Sequence, residues 1–225
     1  MRRRISTVLI VAGALLLADA GITLLWQEPL SALYASREQG QLADQLATLE
    51  RQRLTAEQRS ALDRLRGDDR RIAFLARSLN RRAKEGEPLG RIRMNRIGVN
   101  TVFVAGTKTE TLRKGPGHYP QTPLPGMPGT TAIAGHRTTY GAPFRKIDKL
   151  RKRDKIVLTL PYGVFTYEVE RKQIVPPTAV EVTRRVSYDR LVLSACHPLY
   201  SAAQRIIVFA RLVDVEPRGA ALVRT

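Results

Sequence analysis

Cys196 is the only cysteine in this chain, and it ends the apolar run Leu191, Val192, Leu193, Ser194, Ala195. Nine residues later Arg205 heads a second apolar run, Ile206-Ile207-Val208-Phe209. A thiol attacks as its thiolate, so a catalytic cysteine needs a neighbour that lowers its pKa or relays its proton, and that group is usually histidine. The chain offers three histidines. His197 directly follows the cysteine and, on an extended strand, points to the opposite face. His118 and His136 lie in Gly/Pro-rich stretches, which leaves His136 as first choice of proton relay and His118 as second. The competing reading is a buried cysteine acting as a small hydrophobe.

Residues so far apart meet only if strands carry them. From Arg91 onward the chain has short apolar runs, β-branched residues and frequent Gly/Pro punctuation, the signature of strands and turns. The candidates are 91–95, 101–104, 130–134, 155–160, 164–175, 190–196 and 205–213. Leu160-Pro161-Tyr162-Gly163-Val164 supplies a hairpin turn, after which Phe165, Tyr167 and Val169 alternate inward with Thr166, Glu168 and Glu170 outward. Strands of this length without regular helical alternation between them predict an all-β, closed or nearly closed barrel. Cys196 at the end of one strand and Arg205 at the start of the next can then lie side by side across a hairpin.

The first 90 residues read differently. Residues 5–26 are nearly all apolar, interrupted by Asp19 and preceded by Arg2, Arg3 and Arg4. About 20 apolar residues are what a helix needs to cross a bilayer. With no clear small-residue cleavage site after them, 1–26 are expected to be a cytoplasmic tail and an uncleaved transmembrane signal anchor, with everything after Trp26 outside the cell. Residues 27–90 are rich in Gln, Glu, Arg, Ala and Leu, with leucines near helical spacing, and are expected to form two helices of a juxtamembrane stalk that packs one stripe against itself, the domain or a partner and keeps the other face wet, with a spacer as the preferred role. The barrel is expected over 91–216 and a tail over 217–225.

The chain carries 38 Lys and Arg against 20 Asp and Glu, and from Arg91 onward the balance is 23 against 9, or +14. Such a surface seeks anions. No helix-turn-helix, zinc spacing or aromatic-interleaved basic strand accompanies it, so nucleic acid is not the expected partner. Wall polymers, peptidoglycan carboxylates and acidic lipid headgroups suit an exported domain better. No metal-ligand or carboxylate cluster stands out, and no cofactor is expected.

Three passages line up: Gly115-Pro116-Gly117-His118-Tyr119 followed by Pro125-Gly126, then Ala134-Gly135-His136-Arg137-Thr138-Thr139-Tyr140-Gly141, then Leu193-Ser194-Ala195-Cys196 with Arg205. In order and spacing they resemble the sortases. The resemblance runs over roughly 91–215 and is most similar to the class E sortases of high-GC Gram-positive bacteria in the stretch Gly135 to Phe144, in Cys196-His197-Pro198 and in Tyr200-Ser201-Ala202. It implies a β-barrel of about eight strands in which Cys196 is the nucleophile, His136 the acid/base and Arg205 the stabiliser of the oxyanion or substrate. It also implies cleavage of a Leu-Ala-x-Thr-Gly type C-terminal sorting signal between Thr and Gly, a thioacyl intermediate, and transfer of the exported protein to an amine of the peptidoglycan precursor at the membrane. Tyr119 matches the tyrosine linked to alanine preference in that signal; His118 is expected to be structural or to line the substrate.

One departure stands out. Many sortases carry Thr-Leu-x-Thr before the cysteine, where this chain has Val192-Leu193-Ser194-Ala195. A missing hydroxyl near an oxyanion costs about 2.7–4 kcal/mol where it is used. The alternative to the transpeptidase is therefore a degenerate, non-catalytic sortase-like module that grips the wall through its basic surface.

Overall fold

Period-two alternation along the C-terminal part closes a barrel in this computed structural model, which describes residues 2–25 and 29–222. Met1 and Trp26 at the limits of the predicted anchor, the Asp19 side chain within it, and 223–225 of the predicted tail lie outside the described residues.

The strands are β1 (Pro88–Met94), β2 (Val99–Ala105), β3 (Gly117–His118), β4 (Thr130–Ala134), β5 (Lys155–Leu160), β6 (Gly163–Val175), β7 (Arg190–His197) and β8 (Gln204–Pro217). They close in the order β1-β2-β3-β4-β7-β8-β6-β5. Seven of the eight sit where the apolar runs predict them. The eighth, β3, is two residues long, too short to leave a pattern. Pro161 and Tyr162 form the expected two-residue turn, since Leu160 pairs with Gly163 across it. Phe165, Tyr167 and Val169 fill the interior with Ile92, Phe103, Ile133, Leu158, Leu193 and Val208. β4 and β7 run parallel at the centre of the sheet, with rungs from Thr130↔Arg190 to Ala134↔Ser194.

Four longer helices precede the barrel or lie against it: α1 (Arg2–Leu25), α2 (Pro29–Arg51), α3 (Ala56–Asp63) and α4 (Asp68–Arg82), with a short α5 (Thr109–Lys114) after β2. The description all-β therefore needs correcting, and so does the spacer reading of 27–90. Ile72, Leu75, Ala76 and Leu79 of α4, with Leu62 of α3, belong to the same apolar core as the barrel interior. A stripe at i, i+3, i+4 and i+7 must find a wall, and here the wall is the barrel. α3 starts at a capping box in which Thr55 and Gln58 satisfy each other's backbone N–H groups. α2 packs Leu42 and Leu46 on Val102 and Val104 of β2.

Gln39 of α2 locks that contact. Its Nε2 donates to the carbonyls of Val102 (3.0 Å) and Lys114 (2.7 Å), while its Oε1 accepts from Thr101 Oγ1 (2.6 Å) and Val102 N–H (2.8 Å). One amide side chain thus serves three groups of β2 and one at the end of α5. α1 differs in kind: Val8, Leu9, Ile10, Leu15, Leu16 and Leu17 are all well exposed. Among the described residues, no helix is long and apolar enough to cross a membrane.

Candidate active site

The hairpin of β7 and β8 sets Cys196 directly opposite Arg205. Across the parallel β4–β7 ladder the last rung pairs Ala134 with Ser194, and the N–H of Gly135 still donates to the Ser194 carbonyl (3.0 Å). Two residues past that rung on the two strands stand His136 and Cys196. The three sequence-predicted residues are thus brought to one end of three adjacent strands, β4, β7 and β8.

Side-chain parity decides which face they use. Leu191, Leu193 and Ala195 point into the barrel core, while Val192 packs outside it with Ala132, Val175, Ala179, Ile207 and Phe209. Cys196 and Ser194 share the parity of Val192 and hence the outer face. Ala195 faces the interior, behind Cys196. A groove of about 440 Å³ runs over this outer face, lined by Tyr119, Val175, Val180, Val192, Ser194 and Arg205 among others. Tyr119 enters it because its N–H donates to the Ala132 carbonyl (3.0 Å), setting it beside an outward-facing residue. The far wall, the 3-10 turn Val180–Thr183, is pinned by Arg190, which donates to the carbonyls of Val182 and Arg184. In the structure the Arg205 guanidinium donates to the carbonyls of Ala202 and Gln204 in its own loop, both at 2.9 Å.

His136 is half-buried, and its Nε2 has no hydrogen-bond partner among the described residues. Buried polar atoms are rarely left so. Its ring lies 5.2 Å from that of Tyr140, and Arg113 sits 5.4 Å over the Tyr140 ring. Burial, and after it the positive charge of Arg113, push the imidazole below its ordinary pKa. The neutral base is therefore the favoured form near pH 7. The loop that carries His136 is closed behind it by Phe144, whose N–H donates to the His136 carbonyl (3.0 Å). A Cβ on Gly135 would meet the Phe144 ring at 2.6–2.9 Å, so only glycine fits before the histidine.

His118 stands elsewhere. It pairs with Ile133 across β3 and β4 and is 2% exposed, inside the barrel. Its Nε2 lies 3.3 Å from the Pro123 carbonyl and 3.1 Å from Thr122 Oγ1, closing the turn that follows Tyr119. Burial depresses its pKa to about 4. His118 thus stands behind the groove rather than on its surface.

Arg137 escaped the sequence reading as a site residue. It is 5% exposed, with Nη1 3.4 Å from the Cys196 carbonyl and 3.0 Å from His197 Nδ1, and Nη2 3.0 Å from Asp148 Oδ1. Arginine only donates, so His197 Nδ1 accepts and its proton sits on Nε2. Burial raises the Asp148 carboxyl, but the Arg137 hydrogen bond and the nearby charges outweigh it and hold the pKa below the ordinary carboxylate value. This half-buried ion pair, through the Arg137 bond to the Cys196 carbonyl, ties down the end of β7. Its one signal in sequence is an arginine placed directly after the candidate histidine.

The sortase domain family matches residues 92–213. Sortase D of Bacillus subtilis is 32% identical over 132 residues, covering 57% of this chain and 65% of that protein. Across the curated relatives that it matches, the chain spans 65%, 33% and 38% of their own lengths, less than two thirds in each case. Sortase E from Streptomyces avermitilis superposes with a TM-score of 0.55 at 38% identity, covering 60% of this chain and 93% of that one. Sortase E1 from Streptomyces coelicolor, solved with a tripeptide in its active site, superposes with a TM-score of 0.56 at 25% identity over 60% of this chain and 93% of that one.

Proposed function

This chain belongs to the sortase family, and from that membership we propose that it is a membrane-anchored cysteine transpeptidase acting on exported proteins that carry a Leu-Ala-x-Thr-Gly type sorting signal. Neutral His136 takes the Cys196 proton, and the resulting thiolate attacks the threonine carbonyl. Arg205 steadies the oxyanion after exchanging its bonds to the Ala202 and Gln204 carbonyls for the substrate oxygen. The C–N bond to glycine breaks as His136 gives a proton to the departing amine, leaving a thioester on Cys196. An amine of the wall precursor then attacks, loses a proton to His136 and expels the thiolate. Tyr119 lines the groove that receives the signal, and His118 supports the turn that presents it.

The observation that carries this reading is the ladder itself, with Cys196 facing Arg205 and His136 two residues past the last β4–β7 rung. Anchoring by residues 5–26, with the N-terminus cytoplasmic and the barrel extracellular, rests on the apolar run behind Arg2, Arg3 and Arg4. A non-catalytic wall-binding module is the second reading, favoured by Arg205 being engaged with its own loop.

Mass spectrometry of the full chain incubated with a signal peptide separates the two. The transpeptidase shows an acyl adduct on Cys196 that Cys196→Ala abolishes and His136→Ala and Arg205→Ala strongly reduce. Native protein without an adduct, and with an unreactive thiol, sinks the enzyme reading.

A further inference from the structure

A second cleft, of about 400 Å³, lies between α2 and the barrel and shares no lining residue with the groove. Its walls include Gln39, Thr101, Lys114, Tyr140, Arg145 and Lys146, and none of its described lining residues is acidic. Lys114 Nζ has a carboxylate only at 3.9 Å, from Glu38 outside the lining set. Arg145 has a buried Nη1 with no hydrogen-bond partner among the described residues, while its Nη2 donates to Tyr200 OH (3.1 Å). Three cations around a hollow whose described lining holds no carboxylate form a site for negative charge.

The cleft also reaches the catalytic residues by a separate route. Tyr140 is in its wall and stacks obliquely on His136. Arg145 joins it to Tyr200, in the β7–β8 loop that leaves Cys196. In the proposed reaction the attacking amine must arrive where His136 can take its proton. The apolar groove is at that moment filled by the acyl fragment.

We infer that this cleft binds the amine acceptor through an anionic group, a carboxylate or a phosphate, held by Lys114, Arg145 and Lys146 while the amine passes Tyr140 toward the thioester. The inference rests on the transpeptidase reading and names the class of its second substrate. The signal peptide is recognised by the groove and is indifferent to these cations.

The test compares three acceptors on one skeleton in the full chain: glycylserinamide, its O-phosphate, and glycylserine with a free carboxylate. In Lys114→Gln/Lys146→Gln, formation of the Cys196 adduct and transfer to glycylserinamide stay as in the unsubstituted protein. Transfer to the anionic acceptor that the cleft selects falls about tenfold, the size expected on losing one charge-assisted hydrogen bond of about 1.4 kcal/mol. The stronger loss of the two, phosphate or carboxylate, identifies the group. Equal losses for neutral and anionic acceptors, or no loss for either anion, overturn the cleft assignment alone. Absence of any adduct in the unsubstituted protein overturns the transpeptidase reading and the assignment with it.

Discussion

The groove over Val192 and the cleft beneath α2 are alike in volume, about 440 and 400 Å³, and in their mix of polar and apolar wall, and they differ in charge: Lys114, Arg145 and Lys146 line the cleft, Arg205 alone the groove. The groove is made of sheet. Its floor is the outward side of β6, β7 and β8, where backbone groups are already paired in the ladder, so Val175, Val192 and Ile207 can present apolar surface at no hydrogen-bonding cost. The cleft lies where a helix meets the barrel edge of β2 and α5. There Gln39 satisfies backbone groups that no strand completes, and the cations Lys114, Arg145 and Lys146 gather around it. On the proposed reading, one fold offers two approaches of different charge to the same three side chains. Their distinctness can be attacked from either side.

The largest expected effect concerns the turn behind the groove. In the native fold His118 stays neutral down to about pH 4, whereas in the unfolded chain it takes a proton near 6.5. Its contribution is therefore complete above pH 6.5 and is lost as pH falls from there toward 4, a difference of about 3 kcal/mol. Urea unfolding of His118→Gln at pH 7 and pH 4.5 should show a pH dependence shallower by about 2.4 kcal/mol, the part of that difference developed over this interval. An unchanged dependence would mean that the groove's support does not titrate.

A smaller effect is expected on the cleft side. Gln39→Ala leaves the Val102 N–H, a Lys114 carbonyl and their neighbours without their partner and should destabilise the chain by about 2 kcal/mol. Transfer to anionic acceptors should fall while adduct formation from the signal peptide holds. Parallel loss of both half-reactions would show that the two approaches are not independent. The smallest effect belongs to Val180, 76% exposed on the lip of the groove. Val180→Ser removes apolar surface that a bound peptide covers, and KM for the signal peptide should rise about fivefold. The KM of the acceptor should stay where it is.

Much of the barrel can be read from the chain because each strand announces itself locally. Thr130–Ala134 and Lys155–Leu160 have the bounds that their apolar runs predict, and the Pro161-Tyr162 turn follows from residue type alone. The convergence of Cys196 and Arg205 is likewise local, a matter of one hairpin. What stays hidden depends on partners far along the chain. Gln39 finds Val102 and Lys114 at separations of 63 and 75 residues, and nothing in Ser-Arg-Glu-Gln marks that glutamine as a clamp. Arg137 needs the folded positions of Asp148 and Cys196 before its role can be seen. The leucines of α3 and α4 declare a helical stripe but not its wall, so a spacer and a packed support look the same until the barrel is present.

The central parallel ladder has a consequence for how this molecule can be altered. Because the β4–β7 ladder runs on to Ala134 and Ser194, with the Gly135 N–H still bonded to Ser194, the strands that lead to His136 and Cys196 are held at the spacing of a β-sheet, about 4.8 Å. The 3-10 wall of the groove lies outside that ladder, so lengthening, shortening or exchanging it should redirect the choice of peptide while the two strand ends keep their separation.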